Sequence, residues 1–327
     1  MKFLILGCGS IGKRHITNLM NIVSSNNIYC YDPIAHQSQK LKKYKVNILS
    51  KIPKSFSNFS CVFICTPPAS HVKLAIMVLK GNSNVFIEKP ISTNFNEVKK
   101  LEKIAKQSKY LVFVGYNLRF NKGIIKMKKL VEEQNLGNLI HAYVYFGQYL
   151  PDWRPKQNYT KNYSFIKKLG GDIIFDTSHE IDYAKWIFGK PKKITSTIIK
   201  SDFLKTNVNA LCDSIFLYSK TFLVSIHIDM LRRKYRRSLE ILCEYGIIEW
   251  DLKKGKIKIF DVRKAKIKII NINEDANQMY INELKHVIEC LKKRKKSNLI
   301  GLENGIETFK LCYAIEQSNK TNKHILI

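Results

Sequence analysis

Short, nearly continuous apolar runs punctuate the first part of the chain, at Lys2–Leu6, Ile28–Tyr31, Cys61–Cys65, Asn84–Ile87 and Leu111–Gly115. Between them, apolar residues recur at helical spacing over Ile11–Ser24, Ala69–Lys80 and Asn94–Gln107. Strands apolar on both faces and separated by helices predict a parallel sheet covered on each side. Right-handed crossovers make such a sheet doubly wound.

The pattern changes after residue 119. A helix over Lys122–Gln134 leads to a strand over Leu139–Tyr149, and a Gly-Gly pair at 170–171 precedes a helix running through Phe188. Period-2 segments follow: strands in 207–230, then Leu239–Glu244, Ile247–Asp251, Lys256–Asp261 and Lys266–Ile270, with turns at Gly246 and Gly255. Strands in succession with short links predict an open, mostly antiparallel sheet. Helices over Gln278–Lys293 and Gly301–Ser318 complete an α+β domain. The expected division is 1–118 and 119–327. Within 207–230, Phe222, Val224, Ile226 and Ile228 alternate with Leu223, Ser225, His227 and Asp229. The Phe/Val/Ile face is expected to need a partner, such as the same face of a second copy.

The 327 residues suit two domains, and 45% hydrophobic content is ordinary for a globular protein. No stretch approaches the roughly 20 apolar residues of a membrane span. Phe3–Leu6 before Gly7-Cys8 mimics a lipoprotein signal, but it is shorter than the about 7–15 residues an export signal needs. A cytoplasmic protein without a membrane partner is expected. The eight cysteines contain no paired C-x-x-C array, so no metal site is expected and reduced thiols are. The net charge of +30, from 56 basic and 26 acidic residues, has two readings. It is either a field that attracts an anionic ligand or a drift toward lysine, asparagine and isoleucine. Runs 232–237 and 292–296 are where a polyanion would bind, although solvated turns and helix ends are their commoner use. A nucleic-acid partner is not expected.

Gly7-Cys8-Gly9-Ser10-Ile11-Gly12 reads G-x-G-x-x-G. It follows a predicted strand directly and opens a predicted helix, which is the setting of a dinucleotide-binding turn in a Rossmann domain. Gly7 permits the tight turn, Gly9 lets backbone approach a pyrophosphate, and Gly12 lets helix pack on strand. Ser10 and Ile11 begin the helix, whose free N–H groups favour phosphate. Asp32 lies about 20 residues on, where a carboxylate accepts ribose hydroxyls. Its charge opposes a 2′-phosphate, so NAD is favoured over NADP, although Lys13 and Arg14 stand nearby.

Further residues follow in order: Cys65-Thr66-Pro67-Pro68, His71, Glu88-Lys89-Pro90, Tyr116-Asn117-Leu118-Arg119-Phe120, Trp153-Arg154-Pro155, and Gly170-Gly171-Asp172 through Asp176, His179 and Asp182. Together with the glycine turn they resemble the Gfo/Idh/MocA family of oxidoreductases over essentially the whole chain. The resemblance implies NAD(P)-linked oxidation or reduction of a hydroxyl or carbonyl on a sugar, cyclitol or nucleotide-sugar derivative, and suggests a setting in surface-polysaccharide biosynthesis. It implies a catalytic Lys89 with Asp176 and His179 completing the site, a cis Lys89–Pro90 peptide, and dimers or tetramers formed through the C-terminal sheet. His179 follows Asp176 by three residues where many members have four, and Glu180 takes the fourth place; His179-x-x-Asp182 still matches.

Hydride transfer also requires a group that takes the hydroxyl proton. His179 suits that task, with Lys89 stabilising negative charge on the same oxygen; the reverse assignment stays open. Asp176 or Asp182 would orient His179. Cofactor contacts are expected from Thr66, Pro67, His71, Glu88, Lys89, Asn117, Trp153 and Arg154 as well as the glycine turn and Asp32. Substrate contacts are expected from Lys89, Tyr116, Tyr163, Asp176 and His179. Glu88 could instead cap a loop, Trp153 and Arg154 could anchor one, and His71 could simply begin a helix. Two other readings compete: an NAD-dependent glycoside hydrolase on the same fold, and a non-catalytic NAD- or polyanion-binding protein.

Overall fold

A computed structural model of the chain describes residues 1–34, 37, 39–154 and 158–327. They form two compact units, Met1–Asn117 with Tyr280–Glu307, and Leu118–Met279 with Thr308–Ile327.

The first unit is built on six strands: β1 (Phe3–Leu6), β2 (Ile28–Tyr31), β3 (Asn47–Ile48), β4 (Cys61–Ile64), β5 (Val85–Glu88) and β6 (Val112–Gly115). They lie in the order β3-β2-β1-β4-β5-β6 and every pairing is parallel. The order turns back beside β1, so the loops after β1 and β4 leave the sheet next to each other, at the switch point where such sheets bind ligands. β1, β4, β5 and β6 are buried along their whole length. Helices α1 (Ser10–Met20), α2 (His71–Lys80) and α3 (Phe95–Lys106) make the crossovers. Asn94 caps α3 by accepting the Asn96 and Glu97 N–H groups.

The segment 280–307, which the sequence reading gave to the second domain, packs on this sheet instead. Helix α7 (Gln278–Lys293) carries half of it, after intervening elements of the second unit. Next to it, the Val114 N–H donates to the Ile300 carbonyl at 2.8 Å, and Phe113 bridges Gly301 antiparallel, closing the β6 edge. The physical reason is the apolar stripe Leu284, Val287, Ile288 and Leu291, which finds its cover on this sheet and not in the local sequence.

The second unit begins with α4 (Lys122–Glu133) and β7 (Leu139–Gly147), followed by two helices, α5 (Ile173–Asp176) and α6 (Ser178–Phe188). Then come β8 (Lys193–Lys200), β9 (Asn209–Leu217), β10 (Leu223–Asp229), β11 (Arg236–Cys243), β12 (Gly246–Asp251), β13 (Lys256–Asp261) and β14 (Lys266–Asn271). Helix α8 (Leu302–Thr321) and β15 (Ile325–Leu326) end the chain. The nine strands run β14-β13-β12-β11-β7-β10-β9-β8-β15, antiparallel except for β7 beside β10. The sequence reading did not assign β3, β8 or β15. The first and last have two residues each, and β8 has little burial contrast between its faces.

One expectation about this sheet reverses. Val224, Ile226 and Ile228 are fully buried beneath α5 and α6 of the same chain. A second copy is not needed to cover them. The face left open carries the polar set, including Ser225 and His227, whose imidazole sits 2.7 Å from Asp213 and 3.1 Å from Asp229. Strand registers also align an apolar row across that open face, from Ile267 through Phe260 and Ile247 to Leu242. Beyond His141 the row continues to Leu223 and Leu217. No helix among the described residues is long and apolar enough to cross a membrane.

Candidate active site

At the end of β1 the chain turns through Gly7, whose φ of +94° is open to glycine at little cost. A Cβ there would lie 2.7 Å from the Cys65 carbonyl. A Cβ on Gly12 would lie 2.0 Å from the Gly7 carbonyl oxygen, so α1 rests directly on the turn. Gly9 differs, because its Cβ would meet nothing within 4 Å. Gly9 is the N-cap of α1, no side chain caps that end, and the first turn holds no acid. Its N–H groups and the positive end of the helix dipole are therefore not spent on a side-chain cap, and Ser10 lies exposed beside them. Asp32, just past β2, reaches back to this turn. Its Oδ2 accepts the Cys8 N–H at 2.7 Å and its Oδ1 accepts the Ile34 N–H at 2.8 Å. These residues fit a dinucleotide: open backbone donors for phosphate, and a carboxylate fixed at the end of the next strand.

After β4, the Thr66 hydroxyl bonds to Ser70 at 2.6 Å and Pro67 is exposed. His71 is buried, and its ring bridges two segments, with Nδ1 2.7 Å from the Pro90 carbonyl and Nε2 2.7 Å from the Thr66 carbonyl. Burial pulls its pKa below the ordinary histidine value, against the opposing pull of those carbonyls and of Glu88. The ring thus serves as a strut between two loops of the site, with neither nitrogen turned to solvent.

Strand β5 ends at Glu88, and the next peptide, Lys89–Pro90, is cis. Lys89 is half-buried, while the Glu88 side chain turns inward to meet the His15 imidazole at 2.6 Å. His15 is completely buried between Phe63 and Phe86, with ring centroids at 5.3 Å from each. Glu283, from α7, is also completely buried, and its carboxyl has no hydrogen-bond partner among the described residues. Burial, reinforced by the Glu88 charge, drives its pKa well above the carboxylate range. The sequence reading missed both His15 and Glu283. Each sits in an apolar helical stripe, His15 with Gly12, Ile16 and Leu19, and Glu283 with Val287 and Leu291, and an ionisable residue in such a stripe was the available signal. Tyr116 and Asn117, just past β6, are buried.

In the second unit Trp153 donates its indole N–H to the Gln148 carbonyl at 2.9 Å and lies edge-on to Phe146. Arg154 stacks over the Tyr163 ring at 5.4 Å. Pro155 lies outside the described residues. Tyr163 meets Asp176, whose charge, after burial itself, raises the phenol's pKa. Asp176 ends α5 and is buried; His179, in the first turn of α6, is half-buried. Arg154, Tyr163 and Asp176 are thereby linked in a continuous set.

Asp182 is committed elsewhere. It accepts two hydrogen bonds from Arg119, at 2.8 Å from Nε and 2.7 Å from Nη2, and a third from Thr308 at 2.7 Å. Its place in the motif is thus an anchor for α6. Glu180 is completely buried, 2.7 Å from the Arg237 Nε, so it is a core ion pair. Asp172 caps α5 through the Ile174 N–H and accepts from Asn209. Burial, with the charges of Glu316 and Asp176, pushes its pKa up to about 7. Among the described residues no group of three or more His, Cys, Asp or Glu side chains could hold a metal ion.

Residues 1–116 match the family model described as "Oxidoreductase family, NAD-binding Rossmann fold", and residues 124–249 match the "GFO/IDH/MocA C-terminal domain". Curated relatives include a myo-inositol 2-dehydrogenase of Thermotoga maritima, 26% identical over 58% of this chain and 55% of the relative. Another is a scyllo-inositol 2-dehydrogenase (NAD(+)) of Bacillus subtilis, 24% identical over 57% of this chain and 53% of the relative. The chain thus spans a little over half the length of the curated relatives it matches. Among solved structures, a levoglucosan dehydrogenase in complex with NADH and levoglucosan covers 100% of this chain and 99% of its own, at 14% identity and a TM-score of 0.88. A myo-inositol 2-dehydrogenase from Lactobacillus plantarum covers 100% and 99%, at 19% identity and a TM-score of 0.82. At such identities the likeness is one of fold. Two matched domains in series, on a chain whose first unit carries the glycine turn and whose second carries the nine-stranded sheet, show that this protein belongs to the Gfo/Idh/MocA family of oxidoreductases.

Proposed function

We propose that the protein is an NAD-dependent dehydrogenase or reductase acting on a hydroxyl or carbonyl of a sugar, cyclitol or sugar derivative. The observation that carries the reading is the turn after β1. Gly7, Gly9 and Gly12 leave an uncapped helix end with open space at Gly9, and Asp32 is tied to that same turn. The names of the relatives, inositol and levoglucosan dehydrogenases, support the substrate class.

Bound NAD would supply the hydride acceptor or donor. The chain's own residues do the rest. Lys89 hydrogen-bonds the substrate oxygen and stabilises the negative charge that develops on it. His179 takes the hydroxyl proton during oxidation and returns it during reduction. Asp176 holds the His179 imidazole in the working orientation, and Tyr163 and Arg154 border the substrate beside it. The Asp32 carboxylate selects NAD over NADP by repelling a 2′-phosphate.

The protein would act in the cytoplasm as a homo-oligomer. The apolar row on the open sheet face, where Ile267 is 65% and Leu242 40% exposed, supports self-association. The test is NADH absorbance across inositols, anhydrosugars, uronic acids and nucleotide sugars, with Lys89→Met and His179→Asn as blanks. Turnover in the native protein and its loss in both variants is expected. Undiminished turnover in either variant refutes the assigned role, and release of sugar without net NADH turns the assignment to hydrolysis.

A further inference from the structure

Three ionisable side chains with no place in the proposed chemistry meet inside the first unit. Glu88 comes from the end of β5, His15 from α1 and Glu283 from α7. Glu88 and His15 share a 2.6 Å contact, walled by Phe63 and Phe86. Glu283 brings a second carboxyl, completely buried and without a hydrogen-bond partner among the described residues. The Cys65 thiol lies near both carboxyls, and its pKa is driven up by burial and by the Glu88 charge.

A buried carboxylate without donors is strongly disfavoured, and a neighbouring carboxylate worsens it. Glu283 therefore holds its proton well above the ordinary carboxylate range, near the Glu88–His15 pair. Ionising Glu283 would add a negative charge within electrostatic reach of Glu88, in an interior with little water to screen it. The Glu88 end of β5 is the element that would yield, because the next residue leaves the strand. That residue is Lys89.

We infer that Glu283 is a positioning residue: while it holds its proton, the His15–Glu88–Glu283 cluster keeps the end of β5 in place and so presents Lys89, and loss of that proton releases both. The role assigned to Lys89 rests on the proposed function; the proton on Glu283 does not. A carboxyl whose folded pKa lies above its unfolded value contributes stability that is present below the unfolded pKa and is lost as pH rises toward the folded value.

The experiment compares the native protein with Glu283→Gln, which keeps shape and removes the titration. Urea unfolding from roughly pH 5 to roughly pH 9 reads the proton, at up to about a tenfold change in the folding equilibrium per pH unit. The native protein should lose stability relative to the variant as pH rises. Equal pH dependence in the two proteins overturns the inference. Positioning is read from kcat and KM over the same range. An alkaline fall in kcat, with KM unmoved, should be present in the native protein and absent in the variant; an unchanged fall overturns it. Acetylation of Lys89, followed by peptide mass, gives the same comparison without turnover. If no substrate is turned over, the function proposal fails while the unfolding and acetylation measurements still decide this one.

Discussion

Replacing Gly9 by alanine separates binding from folding. The Gly9 backbone, at φ −67° and ψ −163°, suits any residue, and its Cβ would meet nothing within 4 Å. The only folding penalty is the preference of an N-cap for glycine over alanine, about 1 kcal/mol or less. If the pyrophosphate lies against this backbone, the new methyl occupies its space. NADH affinity should then fall at least about tenfold, or about 1.4 kcal/mol. Gly12→Ala provides the contrast. Its Cβ would sit 2.0 Å from the Gly7 carbonyl oxygen, well inside any real contact, so α1 or the turn must shift. Such overpacking destabilises by about 1–3 kcal/mol, and binding falls with it. Urea unfolding measures the first quantity and NADH fluorescence titration the second. Native NADH affinity in Gly9→Ala would refute the placement of the pyrophosphate.

Three further outcomes follow from named contacts. Asp32→Ala removes the acceptor of the Cys8 N–H and the charge facing a 2′-phosphate; NADH affinity should fall and the NADH-to-NADPH preference narrow, read by parallel titrations with both cofactors. Arg119→Met leaves the Asp182 carboxylate buried without its two-pronged partner, and urea unfolding should show a loss of about 3–5 kcal/mol. Asp172 keeps its proton up to about pH 7 in the folded chain, so its contribution to stability, on the order of 4 kcal/mol at most, is present in acid and is lost as pH rises toward about 7. Asp172→Asn should flatten that part of the stability profile, and an unaltered profile would reassign the titration.

The local rules reached a good part of this architecture. The four fully buried strands of the first sheet announce themselves as apolar runs, and the glycine turn is readable because its three glycines stand between a strand and a helix. Period-2 alternation located β10 but could not say which face the chain would cover. That depends on α5 and α6, which precede it by some tens of residues and whose docking is a tertiary fact. The same holds inside the site. Asp182 stands in a motif that suggests a partner for His179, yet its oxygens are saturated by Arg119 and Thr308, one distant in each direction along the chain. For Glu88 the sequence leaves a cofactor contact and a loop cap both open, and its carboxylate meets His15. Only packing decides which way a side chain at a strand end points.

The closing of the β6 edge by residues near 300 has a consequence for biosynthesis. The segment that completes the nucleotide-binding unit emerges from the ribosome only after all of β7 to β14. The early chain must wait with Val114 and the inner wall of its sheet uncovered, so a nascent or truncated product ending near residue 117 would be sticky, a substrate for chaperones, and a poor choice for separate expression.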